Sequence, residues 1–374
     1  MIRIAVDGPG GAGKSSVARL VAEKLNIIYV DTGALYRAIG LYMLLTGINP
    51  KDAKNVIAAL GKIRLRLSFN GRQTVLLCGE DVSDKIRTPE ISMAASDVSA
   101  IPEVRTFLLR TQRVIAKKNS VIMDGRDIGT VILPNADLKI FLTATPEARA
   151  ERRFKELTAK GTVTTPEAVL ADMQTRDRND STRAVAPCVP AEDALTIDNS
   201  HMTLEETAAA ILHLLDVKMS IKKSRGLYRF GRALVAPFVR FFNRVHVTGL
   251  ENVPKTGGLV LCCNHIAVRD VFLLGCVAKR QLRFIAKKEL FAIPFVGSFI
   301  KKVGAIKVAR DGKDSGAIRA AVDLARCGEV ITIFPQGHRY PGISPAETSP
   351  KNGAALIAYH AGCGALPVCI KTKN

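Results

Sequence analysis

The segment Gly8-Pro9-Gly10-Gly11-Ala12-Gly13-Lys14-Ser15-Ser16 places glycines, a lysine and hydroxyls at the spacing G-x-x-x-x-G-K-S. Such a loop lets backbone N–H groups converge on phosphate oxygens at a helix N-terminus, with Lys14 reaching the β- and γ-phosphates and the Ser15 hydroxyl able to hold Mg²⁺. Further along, Asp31-Thr32-Gly-Ala-Leu-Tyr36-Arg37 groups a hydroxyl, a phenol and a guanidinium, and Asp124-Gly-Arg126-Asp127 sets an acidic turn beside a cation. There Asp124 could orient Mg²⁺ or its water, and Arg126 could meet a phosphate. Arginine then becomes dense, at Arg149, Arg152 and Arg153, and again at Arg176, Arg178 and Arg183 around Asp177 and Asp180. A solvated helical face is the ordinary explanation of such a run. The chemical one is phosphoryl transfer, whose transition state spreads negative charge over equatorial oxygens and is stabilised by positioned Arg, Lys and Mg²⁺.

These side chains need elements to present them. Ile2–Val6 reads as a strand and Ser16–Leu25 as a helix, so the glycine-rich loop has the strand-before, helix-after context that phosphate binding requires. Ile27–Val30, the run ending at Asp124, and Lys139–Thr143 are further strands. A salt-bridged turn accounts for any one of the polar clusters alone; several at strand ends of one α/β pattern point to a site.

Residues 1–219 resemble the bacterial cytidylate kinases over nearly their whole length, in DGPGGAGKSS, DTGALYRA, GEDVSDKIRTPEISMAAS, DGRDIGTVILPNADLKIFLTA and TRAVAPCVPAEDAL. The resemblance implies an α/β, P-loop mononucleotide kinase fold with a parallel sheet, a small antiparallel insert near residues 63–84 (the CMP-side region reaching to about 100), ATP and Mg²⁺ as the donor complex, and CMP or dCMP as acceptor. Carried over by position, Thr32, Tyr36 and Arg37 contact the nucleotide, Ser96, Arg105 and Asp127 recognise the cytosine edge, and Arg126 holds the phosphate. Asp180 and Arg183 meet the ribose, while Arg149, Arg152 and Arg153 close over the phosphates. The run TRDRNDSTR departs from the family's richer Arg-Asp pattern at Asn179, Ser181 and Thr182. A carboxylate facing the cytosine amino group, with an arginine facing its carbonyl, would reject uracil by opposing two acceptors.

A second set of chemistry-bearing residues lies beyond a closing helix at Leu204–Leu215. The polar, basic run Asp216–Arg225 is expected as a linker, with its core at 220–226, and Gly226–Arg244 as a helix that Pro237 kinks or breaks. Leu227, Phe230, Leu234, Phe238 and Phe241 recur near helical period among arginines, compatible with packing on the domain or with lying on anionic lipid. After a strand at Gly258–Cys263 comes Asn264-His265, then Asp270 in the first turn of an apolar helix. A histidine in a loop and an aspartate in the following helix can pair as a general base and its orienting carboxylate.

Three further segments, Lys287-Lys288-Glu289-Leu-Phe, Gly304-Ala-Ile-Lys-Val-Ala-Arg310 and Phe334-Pro335-Gln336-Gly337-His338-Arg339, follow in the order of the glycerolipid acyltransferases, and a strand signal at Leu366–Val368 completes it. From about Leu227 onward the chain resembles 1-acylglycerol-3-phosphate acyltransferases. The resemblance implies an α/β domain over 227–374 in which His265, held by Asp270, deprotonates lysophosphatidic acid for attack on acyl-CoA or acyl-carrier protein. Arg310 and Arg339 would bind the acceptor phosphate, and Gly337 would admit close approach. Gln336 and His338 stand where the family carries Glu and Thr. The sequence ends at Asn374, soon after the last of these segments, so this region is expected to be short at its C-terminal end.

Charge and composition bound these readings. The 374 residues suit two domains rather than one, and the net charge of +20 is uneven. Residues 220–374 hold 25 basic and 8 acidic side chains, leaving 29 and 26 for residues 1–219. An excess of that size attracts polyanions. A nucleic-acid partner is disfavoured, because no aromatics interleave with the basic residues after 243; an anionic membrane face and phosphorylated substrates remain. Eight cysteines without a CxxC or even spacing argue for reduced thiols, and no apolar run reaches the ~18 residues of a membrane span. The expectation is a cytoplasmic, bifunctional enzyme peripheral on the inner membrane face, the alternative being a kinase tethered by an inactive acyltransferase-like module.

Overall fold

A computed structural model describes residues 1–70, 72–159, 161–182, 185–309, 315–340, 343 and 347–371. The chain divides into two compact units, Met1–His213 and Leu214–Asn374.

In the first unit, strands β1 (Arg3–Asp7), β2 (Ile28–Asp31), β6 (Val121–Asp124), β7 (Leu138–Thr143) and β8 (Leu195–Asp198) form a parallel sheet in the order β2-β6-β1-β7-β8. The central strands read as continuous apolar runs because helices cover both faces: Ile4, Ala5, Val6, Val121, Ile122 and Met123 are fully buried. Between β2 and β6 the chain inserts an antiparallel sheet of β3 (Leu65–Asn70), β4 (Arg72–Leu77) and β5 (Glu80–Asp81), as expected for the region near 63–84. Helices α1 (Lys14–Leu25), α2 (Thr32–Leu45), α3 (Ala53–Leu60), α4 (Pro89–Ser99), α5 (Pro102–Lys118), α6 (Pro146–Ala159) and α7 (Pro166–Thr182) complete the unit. The insert joins the core through Val75, Leu77 and Val82, which pack with Leu35, Ala38 and Ile39 of α2.

Register decides what the sheet presents. Asp124 stands opposite both Val6 and Asp31, so Asp7, Asp31 and Asp124 reach the same carboxyl edge. Strand order reverses around β1, and the loop that follows it opens at that switch point, where open α/β sheets bind ligands.

Helix α8 (Leu204–Asn243) runs through the expected linker and past Pro237. The basic run 220–226 is helical and docks one side: Ile221 and Ser224 are buried, Ser224 Oγ accepts from Arg283, and Arg225 pairs with Glu329 at 2.7 Å. Pro237 lies within the helix without ending it. Its stretch is exposed, so a carbonyl left without an amide partner can be hydrated.

The second unit is built on a parallel sheet ordered β11-β10-β12-β9-β13, from β9 (Leu259–Cys263), β10 (Leu282–Lys287), β11 (Ile306–Val308), β12 (Val330–Ile333) and β13 (Gly364–Val368). Alternation divides its core. Val260 and Ile331 face helices α12 (Ser315–Arg326) and α13 (Gly353–Ala361), while Leu259, Leu261 and Val330 join Leu274 and Ala278 at helix α9 (Asp270–Val277) on the other side. Short helices α10 (Lys288–Ala292) and α11 (Val296–Lys302) link β10 to β11.

Candidate active sites

In the first unit, Gly8 takes φ +145, and a Cβ there would lie 2.0 Å from the Leu142 carbonyl oxygen. Only glycine fits, and the chain turns sharply from β1 into the loop. Lys14 folds back to donate from Nζ to the Pro9 carbonyl at 2.7 Å, and Asn199 Nδ2 braces the Ala12 carbonyl at 3.0 Å. Pro9 and Ala12 thus give the loop its form, while Gly10, Gly11, Gly13, Lys14, Ser15 and Ser16 line a cleft of about 1000 Å³.

The same cleft gathers Thr32, Tyr36, Arg37, Ser96, Arg105, Asp124, Arg126, Asp127, Arg152, Arg153 and Asp180. Arg183 lies outside the described residues. At the loop end, Ser15 Oγ donates to Asp124 Oδ2 at 2.6 Å and the Tyr29 hydroxyl to Oδ1 at 3.0 Å, while Thr32 Oγ1 donates to the Asp124 carbonyl at 2.8 Å. Burial, with the Asp31 carboxylate nearby, pushes the Asp124 carboxyl above its ordinary range, and burial, with Arg126 nearby, lowers the Lys14 ammonium. An accessible hydroxyl in contact with a buried carboxylate, at the start of α1 and beside the lysine, fits a Mg²⁺–nucleotide: Ser15 and Asp124 would hold the ion, and the loop amides and Lys14 the phosphates.

Away from the loop, Arg105 Nη1 donates to Asp127 Oδ2 at 2.9 Å and its guanidinium stands 5.5 Å from the Tyr36 ring centre. Arg126 Nε donates to Asp180 Oδ2 at 2.8 Å, and Arg37 Nη2 to Asp31 Oδ2 at 2.6 Å. Of the three arginines expected over the phosphates, Arg152 and Arg153 line the cleft, Arg152 reaching the Asn199 carbonyl at 2.7 Å and Arg153 pairing with Glu156. Arg149 does something else. It is buried, bonded to the Gly10 and Ala144 carbonyls at 3.0 Å each and to Asp177 Oδ2 at 2.6 Å, so it supports the loop from within.

Asp7, Tyr29 and Asn199 escaped the sequence reading. Asp7 accepts from the Ile128 and Gly129 amides at 2.7 Å each and thereby holds the turn that follows Arg126 and Asp127. Its position at a strand end directly before Gly8 was the available signal.

The scan against family models matches the cytidylate kinase model to residues 4–217, more than half of the chain. The chain belongs to the cytidylate kinase family. It is a nucleoside monophosphate kinase. Among curated relatives, the cytidylate kinase of Caldicellulosiruptor bescii is 51% identical over 214 residues, 57% of this chain and 95% of that protein. That of Fervidobacterium nodosum is 45% identical over 59% of this chain and 99% of its own length. The acyltransferase family model matches residues 244–371. Among solved structures, the 1-acyl-sn-glycerophosphate acyltransferase PlsC of Thermotoga maritima is 26% identical with a TM-score of 0.29, over 45% of this chain; the chain spans 61% of that protein's length.

Within the matched second region, the loop after β9 brings the expected pair together. His265 Nδ1 lies 2.8 Å from Asp270 Oδ2, and the same oxygen accepts from the Ile266 and Ala267 amides at 2.7 and 2.8 Å. Asp270 is only 1% exposed, and those donors keep its charge solvated in the absence of water. The imidazole stacks on Phe334, ring centres 4.0 Å apart, while Gln336 Oε1 accepts from the His265 amide at 3.3 Å and the Tyr340 amide donates to the His265 carbonyl at 3.0 Å. Gln336 Nε2 also donates to Thr348 Oγ1 at 3.1 Å. The uncharged carboxamide therefore uses both of its ends here, one as acceptor and one as donor. Gly337 has φ +70, a conformation open to glycine, and Arg339 is exposed two residues on. Arg310 lies outside the described residues.

Burial raises the Asp7 carboxyl to about 6 against the pull of the two amides it accepts from. Because that value is raised, the protonated form accumulates below about pH 6 and gives up lone pairs needed by Ile128 and Gly129. The expected outcome is an acid limb in kcat/KM for the acceptor, falling below about pH 6, to which Asp124, also raised to about 6, contributes; the limb is shallower in Asp7→Asn, which is about tenfold slower at pH 7.5 from the lost amide bond. A pH–rate series on both proteins checks it; an unchanged limb in the variant refutes it.

Proposed function

We propose that the first unit phosphorylates CMP and dCMP to CDP and dCDP with ATP, and that the second acylates 1-acylglycerol-3-phosphate to phosphatidate. The Arg105–Asp127 pair carries the choice of acceptor. It sets a donor beside an acceptor within the cleft, near Ser96 and the Tyr36 ring, and this matches the carbonyl and amino groups of cytosine. Arg126 and Arg37 hold the acceptor phosphate, Asp180 meets the ribose, and Thr32 and Tyr36 pack the nucleotide. Lys14 and the amides of Gly10–Ser16 bind the donor phosphates. Ser15 and Asp124 would hold Mg²⁺, which would neutralise the donor's phosphate charge. An oxygen of the acceptor phosphate attacks the γ-phosphorus as its bond to the bridging oxygen breaks, and Lys14, Arg126, Arg152 and Arg153 stabilise the charge spread over the equatorial oxygens.

In the second unit, Asp270 orients His265 through Nδ1, leaving Nε2 to take the proton of the acceptor hydroxyl. The oxygen then attacks the thioester carbonyl of acyl-CoA or acyl-carrier protein, the C–S bond breaks, and the proton leaves with the thiol. Arg339 and Arg310 receive the acceptor phosphate, with Gly337 permitting close approach. The buried, three-donor Asp270 and the stacked imidazole support an active base over an inert relic: a tethering module needs neither.

No helix of the described residues is long and apolar enough to cross a membrane. Helix α8 instead exposes Phe230, Phe238, Phe241 and Phe242, each at 60% or more, close to Arg229, Arg232 and Arg244. Aromatics entering the headgroup region beside cations suit an anionic bilayer surface.

In a coupled assay of ADP release, CMP and dCMP are expected to exceed UMP and AMP by about 100-fold in kcat/KM. AMP equal to CMP refutes the base assignment. Acyl transfer to lysophosphatidic acid is expected to fall about 10²- to 10⁴-fold in His265→Ala with CMP phosphorylation unchanged; equal transfer by both proteins leaves the tethering alternative. Sedimentation with phosphatidylglycerol vesicles is expected to pull down the protein, and with phosphatidylcholine vesicles not. Replacing Phe238, Phe241 and Phe242 by serine should release it, and retention by the triple variant refutes the lipid contact.

A further inference from the structure

Strand β2 is the edge of its sheet, with β6 as its ladder neighbour. The outward N–H and C=O of its last residue, Asp31, therefore have no strand to pair with. They are met by a side chain from the insert: Gln73 Oε1 accepts from the Asp31 amide at 2.7 Å, and Gln73 Nε2 donates to the Asp31 carbonyl at 3.2 Å. A primary carboxamide carries the donor and acceptor of a peptide unit, so one side chain stands in for one rung of a missing strand.

The geometry extends from that rung into the cleft. On β4, Gln73 shares a face with Val75 and Leu77, both buried against Ala34, Leu35 and Ala38 of α2. Asp31, whose backbone Gln73 grips, uses its own carboxylate on the other side. Oδ1 caps α2 by accepting from the Ala34 amide at 3.0 Å, and Oδ2 holds Arg37 at 2.6 Å. The insert, the edge strand and the first turn of α2 thus meet at one residue.

We propose that Gln73 is a positioning residue for the acceptor nucleotide: by pairing with both backbone groups of Asp31 it locks the insert to the strand end from which Thr32, Tyr36 and Arg37 enter the cleft. The role rests on the reading that those three side chains face the acceptor. It gives the otherwise separate β3–β5 sheet a mechanical part in acceptor binding rather than in donor binding, since the hydrogen bonds of Gln73 and Asp31 described above go to each other and to α2.

The test is steady-state kinetics of Gln73→Leu, which keeps the volume and removes both bonds. The expected result is a KM for CMP raised about fivefold, with kcat and the KM for ATP within about twofold of the parent protein. An unchanged KM for CMP, or KM values for CMP and ATP that rise together, overturns the proposal. Hydrogen exchange gives a second reading free of turnover: the peptide covering residues 28–37 should exchange faster in the variant while that covering 8–16 does not. Equal exchange at 28–37 overturns it as well. If the parent protein phosphorylates no cytidine nucleotide, the acceptor reading fails by itself, and the exchange measurement still decides whether Gln73 holds Asp31.

Discussion

A carboxylate buried at the end of a parallel strand needs a donor for each lone pair, and the first unit is arranged around meeting that need at Asp124. Ser15 from the phosphate loop and Tyr29 from the edge strand donate their hydroxyls to its carboxylate, and Thr32 from the head of α2 donates to its backbone carbonyl. The phosphate loop and the head of α2 are therefore referenced to one residue of β6. The raised carboxyl reflects what it takes to keep charge in that place, and it is also why a divalent cation suits the position. Asp7 repeats the device one strand over, tying β1 to the turn that follows Arg126 and Asp127.

The second unit meets the same constraint with different partners. Asp270 is satisfied by two amides of its own loop and by the imidazole, so the His265 ring is oriented without a further charge. Deeper in, Arg283 is almost wholly buried and reaches Glu329 at 2.8 Å and Ser224 Oγ at 2.7 Å, and Glu329 also takes Arg225. Two of these residues belong to α8. A buried ion pair contributes little net stability over apolar packing, but removing one partner strands the other, so the arrangement enforces where α8 lies on this sheet.

The two halves were legible to different degrees. Strand-loop-helix punctuation places β1, β2, β6, β7, β9 and β13 within a residue or two, because buried parallel strands are short apolar runs bounded by polar turns. Composition alone does not show how residues 220–226 are held, because Lys222, Lys223 and Arg225 look solvated; what docks the segment is Ile221 and Ser224, one helical turn apart and inconspicuous in composition. The same weakness hid Arg149, which is indistinguishable in sequence from Arg152 three residues on, yet turns inward to the loop carbonyls.

By itself the sequence determined the chemistry available: a phosphate loop, acidic and basic turns at strand ends, and a histidine five residues from an aspartate, all set by contiguous residues whose local conformation their neighbours dictate. Only the tertiary structure decided how those groups are employed. Asp7 finds the amides of residues 128 and 129 more than 120 positions away, Asn199 braces a loop 187 positions earlier, and Phe334 supplies the plane on which His265 lies. Such partners are chosen by strand order and register, and those follow from how whole apolar faces pack rather than from any pattern a short stretch of chain contains.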